Sequence, residues 1–396
     1  MPSLPPRAAL LRAARQPLHI DETSRATPGR AEILVRNRAI AVNPFDGIVQ
    51  SLGSLVTPWL RYPAVLGTDL AGEVLAVGSG VSRFAPGDRV LGLALGVEKT
   101  VNRPAEGAFQ DSVILRESCA ARLPPGLSFE QAAVLPLAFA TAASGLFLSE
   151  HLGLRRPSLD PVLEPYGDAV LVWGAATSVG SCAVQLAALA GYRVIATCSA
   201  RNFAYARHLG AAACVDYHDP AVVAKIVEAI GDAPLAGVLC VAAGAGGACI
   251  EIAGHCAGAK RVAMASVPVS LTDAPLASQL RWKLERLSRL ALGFARLALH
   301  ARRLGVRTSS IWGTSVVHDA WGARLFEDFL QPALASGRFQ AAPEPLVAGI
   351  GLESIPAAMQ RLAQGVSARK VVVSLPDPTV AASEAMKSGP VDSAFF

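Results

Sequence analysis

The first third of the chain alternates apolar and polar positions over short distances. Residues Ala31 to Val42 do so continuously, as a strand with one buried face should. Short β-branched runs follow at Gly72–Val77 and Arg89–Leu93, and turn-forming glycines and prolines separate them. Short strands with turn signals at this spacing predict an all-β, barrel-like domain.

The pattern changes after Leu127. Ser128, with Gln131 three residues later, has the spacing of a capping box and predicts a helix start, and an Ala-rich segment continues to Leu148. Apolar strands then alternate with helical segments; the predicted strands are Ala169–Trp173, Arg193–Cys198, Ala213–Asp216 and Gly237–Ala242, and the helices between them are Ser181–Ala190, Asn202–Leu209 and one that ends at Ile230. This alternation predicts βαβ units around a parallel sheet that is buried on both faces.

A basic helix is predicted near the end of this region. Residues Leu276 to Arg303 combine Arg and Lys with Leu and Ala. A basic amphipathic helix is compatible with binding to a membrane surface or to a partner helix. We favour the more common role of a charged run, a surface helix that covers the sheet or closes a substrate cleft. The tail, residues 376–396, is predicted to be flexible.

Composition narrows the function classes. Apolar residues make up 52% of the chain and charged residues 17%, so a large core is easily buried. The net charge is only +5 and aromatic residues are scarce at 6%, which argues against nucleic-acid binding. The seven cysteines form no Cys-x-x-Cys pair, which predicts reduced thiols in a cytoplasmic protein. We expect neither a signal peptide nor a membrane span, because no long apolar run occurs.

The strongest local motif is the run VLVWGAATSVG, Val170 to Gly180. It follows a buried strand and opens a helix, where small residues let a pyrophosphate approach the free N–H groups of the helix N-terminus. A purely structural turn carries similar glycines, and the βαβ context favours nucleotide binding. After the second strand no carboxylate is present to bind the ribose hydroxyls of NAD. Ser199 and Asn202 instead offer hydrogen bonds and Arg201 a charge for a 2′-phosphate, which predicts NADPH.

Several segments together resemble the signature of the medium-chain dehydrogenase/reductase superfamily: Asn43–Asp46, Tyr62–Val74, Val77–Gly78, Phe84–Val90, Gly107–Gln110 and Glu130–Pro136. The resemblance extends roughly from Ile33 to Val373. It implies an α/β protein in which a GroES-like, β-rich catalytic domain is split around a Rossmann nucleotide-binding domain. The implied boundaries are 1–140 for the first catalytic part, 141–312 for the Rossmann domain, 313–375 for the return to the catalytic domain and 376–396 for the tail.

Zinc ligands are missing where zinc-dependent members of this superfamily have them. Those members carry a cysteine in the segment equivalent to Asn43–Asp46 and a Gly-His-Glu where this chain has Gly67-Thr68-Asp69. They also carry a four-cysteine lobe, whereas residues Val90 to Phe109 contain no cysteine. Because tetrahedral zinc needs thiolate or imidazole ligands, the sequence predicts that no metal is bound.

Within the superfamily, the chain is most similar to the trans-acting enoyl reductases of polyketide synthases and to related quinone-oxidoreductase-like proteins. The segments that carry this similarity are Leu152–Leu154 with Pro157–Leu159, Cys198–Phe203, Val215–His218, Phe329 with Leu334–Phe339, Gly351–Ile355, and Gly365–Ser367 before Lys370. The resemblance implies cofactor contacts from Pro44, Phe45, Asp46, Gly47, Ala176, Thr177, Ser178, Val179, Ser199, Ala200, Arg201, Asn202, Tyr217, Met264, Ala265, Val366 and Ser367. It implies a substrate pocket lined by Phe139, Ala140, Thr141, Ala142, Ala143, Ser144, Gly145 and Leu146.

The resemblance also implies a reaction, transfer of hydride from NADPH to the β-carbon of an enoyl thioester or enone, with protonation at the α-carbon. Thr141 and Asp46 are the candidate catalytic residues. Backbone N–H groups are the alternative to Thr141 as donors to the substrate oxygen, and for Asp46 we favour a structural role, in which it fixes a turn after Pro44. Many zinc-free relatives have a lysine where this chain has Ile48, so no role passes to that position. The alternatives are an NADPH quinone reductase and a non-catalytic NADPH-binding or scaffold protein. The expected partners are a small-molecule or carrier-bound acyl substrate and a polyketide synthase, and the expected state is a monomer or homodimer.

Overall fold

The computed structural model describes residues 5–160, 167–268 and 280–376. The predicted tail therefore lies almost entirely outside the described residues. The elements of the first range are β1 (Arg7–Leu11), β2 (His19–Glu22), β3 (Glu32–Ala41), α1 (Pro44–Leu52), β4 (Ala64–Val65), β5 (Asp69–Val77), β6 (Arg89–Leu93), β7 (Ser112–Arg116), β8 (Ala120–Arg122), α2 (Phe129–Ala133) and α3 (Pro136–Phe147).

The second range contains the predicted alternation of strands and helices. Its elements are β9 (Ala169–Trp173), α4 (Ser178–Leu189), β10 (Arg193–Thr197), α5 (Phe203–His208), β11 (Ala213–Val215), α6 (Val222–Ile230), β12 (Leu235–Cys240), α7 (Gly246–His255) and β13 (Arg261–Met264). The third range contains α8 (Leu280–Leu304), β14 (Arg307–Ser310), α9 (Gln331–Ala335), β15 (Glu344–Ile350), α10 (Ile355–Ala363) and β16 (Arg369–Ser374).

Six strands form a parallel sheet in the order β11-β10-β9-β12-β13-β14. Counted from β9, this is the order 3-2-1-4-5-6 of dinucleotide-binding folds, in which ligands bind beyond the carboxyl ends of the strands. Every residue of β9 is buried, as expected for a central strand that is covered on both faces.

A seven-stranded sheet of mostly antiparallel strands belongs to the other domain. Its order is β15-β16-β3-β5-β6-β8, and β7 also pairs with β3. β16 pairs with β3 through Val372 opposite Ala41, so the last described strand joins the sheet of the N-terminal region after the parallel sheet is complete. The predicted fold class is thereby confirmed, while the domain boundaries at 140/141 and 312/313 stay predictions.

The helix predicted from Ser128 begins where expected and is interrupted. The Gln131 amide donates to Ser128 Oγ at 3.1 Å and the Ser128 amide to Gln131 Oε1 at 3.0 Å, which is the predicted capping box. The helix ends at Ala133 and a second one starts at Pro136, because proline lacks the N–H that a continuous helix needs and suits a first helical position. In the described parts of the chain, no helix is both long and apolar enough to span a bilayer.

Candidate functional site

A cleft of about 460 Å³ lies beyond the carboxyl ends of β9 to β12. This is the place in a parallel sheet where the strand order reverses and where nucleotides bind. Eight of the residues predicted to contact the cofactor are among its lining. The full lining is Trp173, Gly174, Ala176, Thr177, Cys198, Ser199, Arg201, Asn202, Tyr217, Ala242, Arg361, Gly365, Val366 and Ser367.

The turn from β9 into α4 is built by a glycine and a capping threonine. Gly174 has φ of +98°, a conformation that side chains disfavour. Thr177 Oγ1 accepts a hydrogen bond from the Gly180 amide at 3.0 Å and donates one to the Gly174 carbonyl at 2.8 Å. A Cβ at Gly180 would lie 2.1 Å from that carbonyl oxygen. The turn therefore requires glycine at Gly180, and it leaves the first amides of α4 available to an anion.

The turn after β10 supplies the polar end of the cleft. Ser199 Oγ donates to Tyr217 Oη at 3.2 Å, and Asn202 Nδ2 donates to Ser367 Oγ at 3.0 Å. Arg201 and Arg361 line the same cleft, and no carboxylate is among the residues that line it in the described part of the chain. This end of the cleft is therefore suited to an anion.

A carboxylate does lie nearby, outside the lining. Asp216 accepts the Ala200 amide at 3.2 Å and both the backbone and side chain of His218. The hydrogen bonds from His218 lower the pKa of Asp216. The carboxylate of Asp216 is thus occupied in holding the two turns together.

The remaining predicted cofactor residues are not part of the lining of the cleft. Ser178 and Val179 form the first turn of α4, and Ala200 belongs to the short turn after β10. Met264 ends β13, and the Ala265 amide donates to the Cys240 carbonyl at the end of β12. Pro44, Phe45, Asp46 and Gly47 form the first turn of α1.

Asp46 starts a helix rather than fixing an isolated turn, so the turn predicted after Pro44 is corrected. Its Oδ2 accepts the Asn43 amide at 2.8 Å, and its Oδ1 accepts the Gly67 amide at 3.2 Å. Proline suits the first position of a helix as well as a turn, which explains the error. Burial raises the pKa of Asp46 to about 7. Since both carboxyl oxygens accept backbone amides, the contacts of Asp46 are structural.

Asn43, Thr68 and Asp69 lie in the segments that the resemblance equates with zinc-ligand segments, and here they are linked by hydrogen bonds and by an ion pair from Lys370 to Asp69. Lys370 Nζ lies 2.9 Å from Asp69 Oδ2 and also donates to Asn43 Oδ1. Asn43 Nδ2 donates to Thr68 Oγ1 at 3.1 Å and to Asp69 Oδ2 at 2.9 Å. The Asp69 and Lys370 side chains are only 0% and 5% exposed. Across the described residues, no three His, Cys, Asp or Glu side chains gather as a metal site would require.

The helix predicted to line the substrate pocket is almost entirely core. Phe139 is fully buried and packs against Phe326, Phe329 and Phe339. Ala140, Ala142, Ala143 and Leu146 are fully buried in the same cluster, and a Cβ at Gly145 would lie 2.5 Å from Ile311. The structure packs these residues in the core and does not place them in the lining of the cleft, so their role in a substrate pocket stays a prediction.

Two polar residues of that helix already have partners. Ser144 Oγ accepts the Val316 amide at 3.0 Å. Thr141 is 8% exposed, and its hydroxyl donates to the Leu137 carbonyl at 2.7 Å. In this arrangement the hydroxyl hydrogen is directed to the Leu137 carbonyl, and the catalytic role of Thr141 stays a prediction.

An aromatic cluster beyond the end of β14 was not predicted. Trp312 packs edge-on against Phe45, with ring centroids 5.3 Å apart, and against Trp59 at 6.0 Å. Its indole N–H donates to the buried Glu98 carboxylate at 2.8 Å. A Cβ on the neighbouring Gly313 would lie 2.6 Å from Thr141 Oγ1, so the cluster adjoins α3. No local sequence pattern indicates this cluster, because its tryptophans are single residues outside any periodic pattern. Arg361, which lines the cleft, was missed for the same reason, since it is isolated in the sequence.

Comparison with known proteins agrees with this geometry. Residues 29–125 match the model of the alcohol dehydrogenase GroES-like domain. The chain is 45% identical to dehydrogenase pigH of Monascus ruber over 93% of this chain and 99% of that protein. It is 33% identical to trans-enoyl reductase himH of Aspergillus japonicus over 87% of this chain and 90% of that protein. A solved alcohol dehydrogenase superfamily protein from Novosphingobium aromaticivorans superposes with a TM-score of 0.69 at 22% identity, covering 94% of this chain and 100% of its own.

Proposed function

The chain belongs to the medium-chain dehydrogenase/reductase superfamily, and we propose that it is an NADPH-dependent reductase of activated alkenes that works without zinc. Its relatives make it an oxidoreductase, and a nicotinamide cofactor is common to the family. When bound, that cofactor supplies the hydride for the reduction. The chain's own residues bind and orient the reactants and keep water away from them.

The observation that carries the preference for NADPH is the charge of the cleft. Arg201 and Arg361 both line it, together with hydroxyl and amide groups of Ser199, Asn202 and Ser367, and no lining residue of the described chain is acidic. A 2′-phosphate gains charge-assisted hydrogen bonds from such groups, whereas the ribose hydroxyls of NAD are usually held by a carboxylate. Gly174 to Val179 would hold the pyrophosphate, because the amides at the start of α4 remain available.

We propose that the nicotinamide end of the cofactor extends toward the aromatic cluster of Phe45, Trp59 and Trp312. Met264 and Ala265 lie at the carboxyl edge of the sheet beside the end of β12, on the side of the cleft that leads to Trp312. Phe45 contacts Trp312, which supports a border formed by the first turn of α1. Apolar walls of this kind exclude water from a hydride acceptor. We assign donation to the substrate oxygen to backbone N–H groups, since the Thr141 hydroxyl hydrogen is already used.

The proposal that zinc is absent rests on the donors present. Asn43, Thr68 and Asp69 offer one carboxylate and no thiolate or imidazole. The ammonium of Lys370 already neutralises that carboxylate in a buried position. A zinc ion would have to displace this ammonium and would gain none of its preferred nitrogen or sulfur ligands.

The substrate class is the finer part of the proposal. A relative that aligns with 87% of this chain is named a trans-enoyl reductase, which supports an enoyl thioester or enone as the acceptor. A small-molecule or carrier-bound acyl group is therefore the proposed substrate, and a polyketide synthase is the proposed partner that delivers it.

Two linked measurements test the proposal. The purified protein is titrated with NADPH and NADH while the fluorescence of the nucleotide is followed, and a crotonyl thioester is then added to the NADPH complex. We expect NADPH to bind at least about tenfold more tightly than NADH, a difference of about 1.4 kcal/mol, and to be oxidised when the thioester is added. Equal affinities would remove the 2′-phosphate assignment. Oxidation by quinones and not by thioesters or enones would identify a quinone reductase, and no binding would contradict the whole proposal.

A further inference from the structure

The long helix α8 carries more positive charge than the whole protein. Residues 280–304 contain seven Lys or Arg and one Glu, a net charge of +6, whereas the whole chain carries only +5. The rest of the molecule is therefore slightly acidic. A charge concentrated on one helix generates a local positive potential that attracts anionic partners.

The same helix presents an apolar face to solvent. Five of the eleven large apolar side chains that are exposed in the described chain belong to it: Leu284, Leu287, Leu292, Phe294 and Leu299, which are 59%, 45%, 51%, 38% and 52% exposed. Scattered exposed leucines are ordinary on a protein surface, but a cluster on one element marks an interaction site.

This apolar face points away from the protein body. The helix is attached through Leu297, Ala301 and Leu304, which pack with α7 and the parallel sheet. At about 100° per residue, the exposed apolar side chains cover an arc of roughly 160°, centred roughly 130° from the attached side. As far as residues 5–160, 167–268 and 280–376 are concerned, the face is therefore open to a partner that approaches from outside.

The exposed surface continues onto the neighbouring domain. Leu55, which is 54% exposed, lines a groove together with Leu287 and Trp282, and the rest of the lining is Leu52, Val56, Arg286 and Leu290. On the opposite border of the arc, Arg289, Arg296 and Arg303 follow one another along the helix, and Arg289 pairs with Glu285 at 2.7 Å. The exposed Arg302 lies within the arc itself. Long cationic side chains in this position can cover apolar surface while their charged groups reach outward.

We propose that α8 and the adjoining Leu55 form a docking surface for anionic phospholipid membranes. The arc of apolar side chains is too wide for the narrow seam of a paired helix and suits a flat interface. Leu and Phe on one face, with Arg along its border and Arg302 within it, suit a helix that lies in the headgroup region, where each basic residue contributes about 1 kcal/mol of attraction. A second copy of the chain is disfavoured, because a twofold contact would bring two faces of the same charge together.

The test is binding to vesicles of stated composition. Full-length protein is centrifuged with vesicles of phosphatidylcholine alone and of an equimolar phosphatidylcholine–phosphatidylserine mixture. We expect the mixed vesicles to bind at least about tenfold more protein, and we expect high salt to weaken the binding. The triple variant Leu284→Ser, Leu292→Ser, Leu299→Ser should lose at least about tenfold of this binding.

Matched controls separate the apolar and the charged contributions. Val347→Ser with Ile350→Ser removes apolar side chains that are 48% and 67% exposed on β15, and this pair should bind vesicles like the wild type. Arg296→Glu with Arg303→Glu should abolish the preference for phosphatidylserine, whereas Arg296→Lys with Arg303→Lys should retain it. The circular dichroism and the NADPH titration of each variant establish that it is folded.

Three outcomes would overturn the proposal. The first is vesicle binding that the triple leucine variant retains in full, and the second is no preference for the anionic vesicles. The third is binding to polyglutamate, or a concentration-dependent dimer that the leucine variant disrupts, without binding to vesicles. That result would assign the face to an acidic protein or to a second copy.

Discussion

Asn202 donates a hydrogen bond from its side-chain amide to the Ser367 hydroxyl across 3.0 Å. The two residues are 165 positions apart, one after β10 of the parallel sheet and the other before β16 of the second sheet. Both line the cleft that we propose for NADPH. One end of that cleft is therefore formed by both sheets, and its shape depends on the return of the chain to the first domain.

Replacement of Arg201 should weaken NADPH binding selectively. Arg201→Ala removes one of the two guanidinium groups in the cleft, and we expect the Kd of NADPH to rise at least about tenfold while that of NADH changes less than about twofold. Fluorescence titration measures both constants. Arg207→Ala is the matched control, because Arg207 stacks on Phe203 and lies outside the lining. An equal loss for both nucleotides would show that Arg201 does not recognise a 2′-phosphate.

The Thr141 hydroxyl should matter little for turnover. Thr141→Val removes a hydroxyl whose hydrogen is already donated to the Leu137 carbonyl, so we expect kcat on a crotonyl thioester to fall by less than about threefold. Thr141→Ser keeps the hydroxyl and serves as the control. A loss above about tenfold in the valine variant, restored by serine with unchanged NADPH binding, would reinstate Thr141 as the donor to the substrate oxygen.

The buried ion pair should contribute strongly to stability. Lys370→Met leaves the Asp69 carboxylate buried without its cation, and we expect the free energy of unfolding to fall by about 3–5 kcal/mol. Urea unfolding measures the loss. Arg324→Met breaks the exposed pair with Asp328, where the side chains are 67% and 49% exposed, and should cost less than about 1 kcal/mol. The double variant Lys370→Met, Asp69→Asn should regain part of the stability. Equal losses of stability in Lys370→Met and Arg324→Met would contradict the prediction.

Local patterns predicted most of the fold. The buried strand Ala169–Trp173 and the capping box at Ser128 lie where the sequence indicated, since each depends on residues a few positions apart. The glycine turn before α4 was likewise predicted from residues a few positions apart. Where one local pattern suits two structures, the prediction was wrong, as at Pro44, which begins a helix instead of a turn.

Contacts between segments that are far apart in the chain could not be predicted from local sequence patterns. Lys370 meets Asp69 only after β16 pairs with β3, and Glu98 meets Trp312 from 214 positions away. The small and apolar residues of α3 suit a pocket wall and a packed core equally well. The packing of Phe326, Phe329 and Phe339 around Phe139 could not be foreseen from local patterns, and the pocket role of α3 stays a prediction.

The raised pKa of Asp46 should appear in the pH dependence of stability. The unfolded carboxyl loses its proton at about pH 4, whereas the folded one retains it until about pH 7. Over that range the folded state binds more protons, so the contribution of Asp46 to stability falls as the pH rises. Asp46→Asn cannot titrate. We expect the free energy of unfolding of the wild type, minus that of the variant, to decrease by a few kcal/mol between those pH values and to level off above them. A difference that rises with pH would contradict the raised pKa.

Gly180 should tolerate no side chain. A Cβ there would lie 2.1 Å from the Gly174 carbonyl oxygen, so Gly180→Ala must push α4 away from the end of β9. We expect the free energy of unfolding to fall by at least about 2 kcal/mol, and we expect NADPH affinity to fall because the amides at the start of α4 move. Gly247→Ala is the matched control, since Gly247 also lies in the first turn of a helix and no atom stands within 4 Å of its added Cβ. That substitution should leave binding unchanged and raise stability by up to about 1 kcal/mol. If the two alanine variants bound NADPH equally well, the turn before α4 would not be the pyrophosphate site.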